Sequence, residues 1–191
     1  MYDASCEPGM YQAQGKQHAF PDLTNKICPQ CHADYLRRHG YYSRDLVTEG
    51  FEGIILIRRY LCKECGRTVS VLPAFCHPRR TYGMRAIIGL LKEYYVKIKA
   101  VCQAVLSYYK TSGVEISRQL LRHYRIRLKK NLNNLIMAIT DIRSLRAPPV
   151  TESKDKKEKA RQLLSLIQHP LEDALKIHER TGTSYLTPQA N

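Results

Sequence analysis

Cys28-Pro29-Gln30-Cys31 and, thirty residues on, Cys62-Lys63-Glu64-Cys65-Gly66 decide how this chain is read. A Cys-x-x-Cys turn aims two sulfurs at one point, and two such turns supply the tetrahedral thiolate set that Zn²⁺ prefers. Gly66 suits a tight turn in which backbone N–H groups approach the sulfurs. Arg38, Arg59, Lys63 and Arg67 lie close in sequence and would offset the negative charge of a four-thiolate centre. The spacing predicts one structural Zn²⁺ per chain, held by Cys28, Cys31, Cys62 and Cys65. Four cysteines saturate the metal and leave no position for water or substrate. An iron site of rubredoxin type uses the same ligands and is an alternative. A disulfide framework fits poorly with seven cysteines and no secretion pattern. A thioredoxin-like redox pair would need one such motif in a βαβ context.

Outward from the cysteines, residues 26–73 read as short strands separated by turns. Tyr35–His39 and Tyr41–Ser43 flank Gly40, Ile54–Leu61 follows Gly53, and Thr68–Leu72 stops at Pro73. So small a segment buries too little to fold alone, and metal binding worth on the order of 10 kcal/mol would hold it. Cys76 reads as a buried small hydrophobe, Cys102 as core, and Cys6 as an exposed thiol.

After Pro78 the period changes from two to 3.6. Ile87, Leu91, Tyr94, Ile98, Val101 and Val105 recur at helical steps and predict one amphipathic helix of about 25 residues. Lys110–Gly113 breaks it. A second helix begins near Ser117, a suitable N-cap, and carries Leu121, Tyr124, Leu128, Leu132, Leu135, Ile139 and Ile142 toward Leu145. Pro148-Pro149 marks a linker, and Pro170 a further stop among one or two short helices. The predicted fold is α+β: a small three-stranded β zinc ribbon followed by a mostly helical, helix-turn-helix-like region. Its parts are an irregular lead-in (1–25), ribbon and basic connector (26–80), helical region (81–146), and a charged linker with short helices (147–191).

The chain carries 31 Lys and Arg against 17 Asp and Glu, a net charge of +14. That excess makes a polyanion the expected partner. At 43% hydrophobic the chain is too apolar for a disordered tail. No apolar run approaches a membrane span of roughly 18 residues. With no signal-peptide pattern, the cytoplasm is the expected compartment. Residues 81–146 hold thirteen basic and three acidic side chains, and so most of the excess. Arg118, Arg122, Arg125 and Lys129, at steps of four, three and four, fall within roughly 60° on a helix. An apolar helix, a turn with Gly113 and a basic helix suit a helix-turn-helix, whose second helix enters the DNA major groove. Arg79-Arg80, between ribbon and helices, is a second candidate contact. Such arginines grip phosphate or read guanine, though they also suit the solvated side of a helix bundle.

The string Cys28-Pro-Gln-Cys31, Arg38-His39-Gly40-Tyr41 and Arg59-Tyr-Leu-Cys62-Lys-Glu-Cys65-Gly66-Arg67-Thr68 resembles the N-terminal zinc ribbon of bacterial insertion-sequence transposases. It is similar, too, to stand-alone transposase-like proteins of bacteria and archaea. Ser70-Val71-Leu72-Pro73, Pro78 and Tyr82 extend the likeness, which covers about residues 26–88 and fades toward 146. The resemblance implies a ribbon and helix-turn-helix that bind the ends of a mobile element. It departs from full transposases in lacking room for an RNase H-like domain with three metal-binding carboxylates. Residues 81–146 offer only Glu93, Glu115 and Asp141, so no enzymatic activity is expected. The expected role is a DNA-binding accessory, remnant or regulator, as a homo-oligomer or beside a separate transposase subunit. The alternatives are RNA or ribosome binding, with Tyr35, Tyr41 and Tyr42 as exposed stacking groups, and a helical interaction scaffold.

Overall fold

The computed structural model describes residues 1–143, 155–181 and 185–186. A three-stranded antiparallel sheet, ordered β1-β2-β3, stands beside a layer of helices, an α+β architecture. The strands are β1 (Leu36–Thr48), β2 (Phe51–Cys62) and β3 (Thr68–Val71). β1 runs unbroken through Gly40, where a register shift between Arg38 and Gly40 absorbs one extra residue. Glu49-Gly50 closes the long β1–β2 hairpin, opposite the end that holds the cysteines.

The first 25 residues are more ordered than their composition suggests. Pro8–Gln14 forms α1, with Pro8 near its start, where a missing N–H costs nothing. Tyr11 pins α1 to the sheet: fully buried, it packs edge-on against Phe75 and donates its hydroxyl to the Leu56 carbonyl at 2.8 Å.

The expected single helix after Pro78 is two helices, α2 (Met84–Tyr95) and α3 (Val101–Ser112). Apolar spacing continues through the break, and a buried carboxylate explains it. Glu93, 5% exposed, accepts hydrogen bonds from Lys97, from Lys99 at 2.8 Å and from Ser107 at 2.9 Å. Gathering these donors around one acid folds the chain at 96–100, with Ile98 at φ 52°. α3 then lies against α2 so closely that a Cβ on Gly89 would stand 2.7 Å from the Tyr108 ring. Tyr108 is held in turn by Glu49 of the hairpin tip, 2.7 Å away.

Gly113 ends α3 in the left-handed conformation (φ 71°), and the Ser117 hydroxyl caps α4 by accepting the Leu120 N–H at 3.1 Å. α4 (Arg118–Ile142) has no break near Arg125. Leu121, Tyr124, Leu128, Leu132, Leu135 and Ile139 of the expected stripe are all buried, and its last member, Ile142, is half-buried against the same core. α5 (Lys156–Leu166) and α6 (Pro170–Thr181) complete this core rather than trail from it. Leu163, Leu164, Ile167, Ala174 and Ile177 are wholly buried in one cluster with α2 and α4. Pro170 is the first residue of α6, so it starts a helix instead of stopping one. The expected stop at Pro148-Pro149 and the end near Leu145 lie outside the described residues. No helix among them is long and apolar enough to cross a membrane.

Candidate metal centre and basic surface

The four cysteines meet at one end of the sheet. Cys28 and Cys31 precede β1, while Cys62 and Cys65 bracket the turn from β2 to β3. Their sulfurs all lie within 4.8 Å of one another, with Cys28–Cys65 at 3.8 Å and Cys31–Cys62 at 3.5 Å. A tetrahedron with metal–sulfur bonds of about 2.3 Å has edges of about 3.8 Å, so the group fits a tetrahedral ion.

Both turns are built the same way. The Cys28 N–H donates to the Ala33 carbonyl (2.9 Å) and the Cys28 carbonyl accepts the His32 N–H (3.0 Å). In the second turn the Cys62 N–H donates to Arg67 (2.9 Å) and the Cys62 carbonyl accepts the Gly66 N–H (3.0 Å). Arg67 also donates to the Gln30 side chain, which ties one turn to the other.

Backbone N–H groups of Cys31 and Gln30 aim at the Cys28 sulfur and pull its thiol down to about 7. At Cys31 the Ala33 N–H acts in the same direction. Burial and the sulfurs of Cys62, Cys65 and Cys28 outweigh it and hold that thiol at about 12. Four thiols this close compete for charge, and a divalent cation removes the competition by accepting all four thiolates. Leu36, Tyr60 and Val71 form a small apolar cluster with Cys28 and Cys62 behind the centre.

The other cysteines divide. Cys76 is fully buried, and burial pushes its thiol up to about 12, as befits a small core residue. Cys6 is half-buried. Cys102, expected in the core, is exposed on α3. The break at 96–100 resets the helical phase, so α3 buries Ala104 and Tyr108 instead.

The six basic candidates are not equivalent. Arg118 and Arg122 are exposed on the first turns of α4, and Lys129 is half-exposed. Arg125 turns inward, half-buried, with its guanidinium 3.9 Å from the centre of the Tyr94 ring. The basic stripe lies only about 90° around the helix from the buried one, so its innermost member meets α2. Arg79 is exposed with φ 60°. Arg80 donates to His123 Nε2 of α4 at 2.8 Å, joining the connector to the basic helix.

Sequence reasoning did not single out Arg44 or His123. Arg44 extends from β1 and donates to the carbonyls of both His77 and Arg80, fixing the connector's path. Its only trace in the sequence is a lone arginine in a strand, which no motif marks. Tyr41 and Tyr42, expected as exposed stacking groups, are half-buried. Arg58 covers the Tyr41 ring at 4.7 Å and Arg59 the Tyr42 ring at 5.6 Å. Tyr35 alone of the three is exposed, at 60%.

Residues 28–111 match the model of a family described as a domain of unknown function, DUF6431. The match begins at the first metal-site cysteine and ends in the last turn of α3, before α4. Neither a search of curated proteins nor one of solved structures returns a match.

Proposed function

We propose that this chain is a zinc-ribbon DNA-binding protein of transposase-like type, an accessory, remnant or regulator with no catalytic step of its own. Zn²⁺ on Cys28, Cys31, Cys62 and Cys65 is its structural cofactor. The observation that carries the reading is the pair Arg118 and Arg122, one turn apart and both exposed at the start of α4. Neither pairs with a carboxylate among the described residues, and nor does the exposed Arg79 of the connector, which the Arg80–His123 bond at 2.8 Å ties to α4. In this reading α3, the Gly113 turn and α4 act as a helix-turn-helix, with the first turns of α4 against the duplex. The likeness of residues 26–88 to transposase ribbons supplies the mobile-element context.

The test is duplex-DNA affinity measured against salt, in competition with single-stranded RNA. Phosphate contacts release counterions, so affinity should fall steeply with salt. A flat salt dependence, or preference for the RNA, overturns the reading. A protein partner, either a second copy or a separate transposase subunit, is the second reading. Leu106 (54% exposed) and Tyr109 (50%) on α3 favour it. Self-association lost on Leu106→Ser, with DNA affinity retained, would separate the two.

A further inference from the structure

A recess of about 530 Å³ lies where the connector crosses the sheet, lined in part by Tyr42, Arg44, Asp45, Ser70, Arg79 and Arg80. Three of these side chains are arginines, and none of the three makes an ion pair with a carboxylate among the described residues. Asp45 shares the wall without reaching them. Two neighbouring histidines register the surplus charge. Burial first, and then Arg80 and Arg44, lower the His77 pKa to about 4. Burial, Arg80 and Arg127 lower that of His123.

The recess is also held in shape before any ligand arrives. Arg44 spends one nitrogen on the carbonyls of His77 and Arg80, and the rest of its guanidinium donors remain for another acceptor. The Arg80 N–H closes a turn onto the His77 carbonyl at 3.3 Å, and Arg79 within that turn takes a left-handed backbone that side chains disfavour. Arg59, over the ring of Tyr42 and paired in register with Ser70, adds a fourth cation beside the lining residues. Ser70 contributes an exposed residue with a hydroxyl donor.

We propose that this recess is a phosphate-binding site, with Arg79 and Arg80 as the principal donors and Arg44 as the residue that positions them. Arginines that line one recess without carboxylate partners suit a phosphate because their planar forks match its oxygens. The phosphate is either a nucleic-acid backbone diester or a free phosphorylated small molecule. Only the first source rests on the DNA reading above.

The experiment uses the full metal-loaded chain with two probes, inorganic pyrophosphate by calorimetry and a short DNA duplex by fluorescence anisotropy. Arg79→Gly removes a donor while relieving its backbone, so the fold should persist, and a melting curve checks this. Arg80→Gln keeps a donor for His123. Arg118→Ala with Arg122→Ala is the comparison on α4. Each recess variant should weaken at least one probe by about tenfold. The α4 variant should weaken the duplex and leave pyrophosphate unchanged. Pyrophosphate bound without duplex establishes the free-phosphate source and removes the DNA reading. Duplex bound through the recess without pyrophosphate establishes the backbone source. If neither probe responds to Arg79→Gly or Arg80→Gln, the site is overturned, while the DNA reading still stands or falls on α4.

Discussion

His32 and Gly66 occupy the same place in the two cysteine turns. Each has a left-handed backbone, φ 61° and 68°, and each donates its N–H to the carbonyl of the first cysteine at 3.0 Å. One turn uses the residue suited to that conformation, and the other holds a β-carbon in it. Gly66→Ala should therefore cost about 1 kcal/mol, the penalty of placing a side chain there. His32→Gly should change stability by less than about 0.5 kcal/mol, because relieved strain is offset by the freedom glycine gains in the unfolded chain. Thermal unfolding of the metal-loaded variants measures both. Equal effects at the two positions would mean that the turns are not equivalent.

Metal removal should act on one end of the molecule. Among the described residues, the buried members of the cluster behind the cysteines are Leu36, Tyr60, Val71 and two of the four cysteines. The helical core, from Leu91 through Leu128 to Leu163, is separate from it. Chelation, or Cys62→Ser, should abolish binding of one metal per chain and loosen the β3 end of the sheet. Most of the helical circular dichroism should remain. Elemental analysis with hydrogen exchange at Leu36 and Tyr60 reads the two parts separately. Loss of the helices on chelation would show that the layers fold as one unit.

Acid should destabilise the protein through His77. Its folded pKa, about 4, lies below the ordinary value of 6.5, chiefly because burial disfavours the charged ring. A group so depressed leaves stability unaffected above the ordinary value. As pH falls below 6.5 the unfolded chain takes up the proton first, and stability declines until the folded ring also protonates near pH 4. The loss over that window is on the order of 3 kcal/mol. His123 shifts in the same direction and adds to it. Denaturant melts between pH 7 and 4 should show the decline. His77→Asn should flatten it while lowering stability at neutral pH.

How much of this was legible depended on whether a feature is local. The cysteine turns, the Gly113 stop, the Ser117 cap and the buried stripe of α4 each follow from residues a few positions apart. The break between α2 and α3 does not. Tyr94, Ile98, Val101 and Val105 keep helical spacing across it, and the break lets Glu93 reach Ser107, fourteen residues on in α3, as well as Lys97 and Lys99. That single tertiary event also moved Cys102 from the expected core to the surface. In the same way Tyr11 orders α1 through Phe75 and Leu56, both far along the chain. Local composition carried no sign of either contact.

Arg122 and Arg125 make the sharpest comparison on the basic helix, since they are one turn apart with opposite surroundings. Arg122 is exposed, whereas Arg125 lies over Tyr94 with a buried Nε. Arg122→Ala should leave the melting temperature unchanged and reduce the salt dependence of duplex binding by about one phosphate contact. Arg125→Ala should cost about 1–2 kcal/mol of stability through the lost cation–π contact and packing, with little change in salt slope. Paired melting curves and binding titrations of both variants decide the matter. If Arg125→Ala proved the stronger determinant of DNA affinity, α4 would have to present a different face to its partner. The side of the helix bordering α2, rather than the first exposed turns, would then be the binding surface.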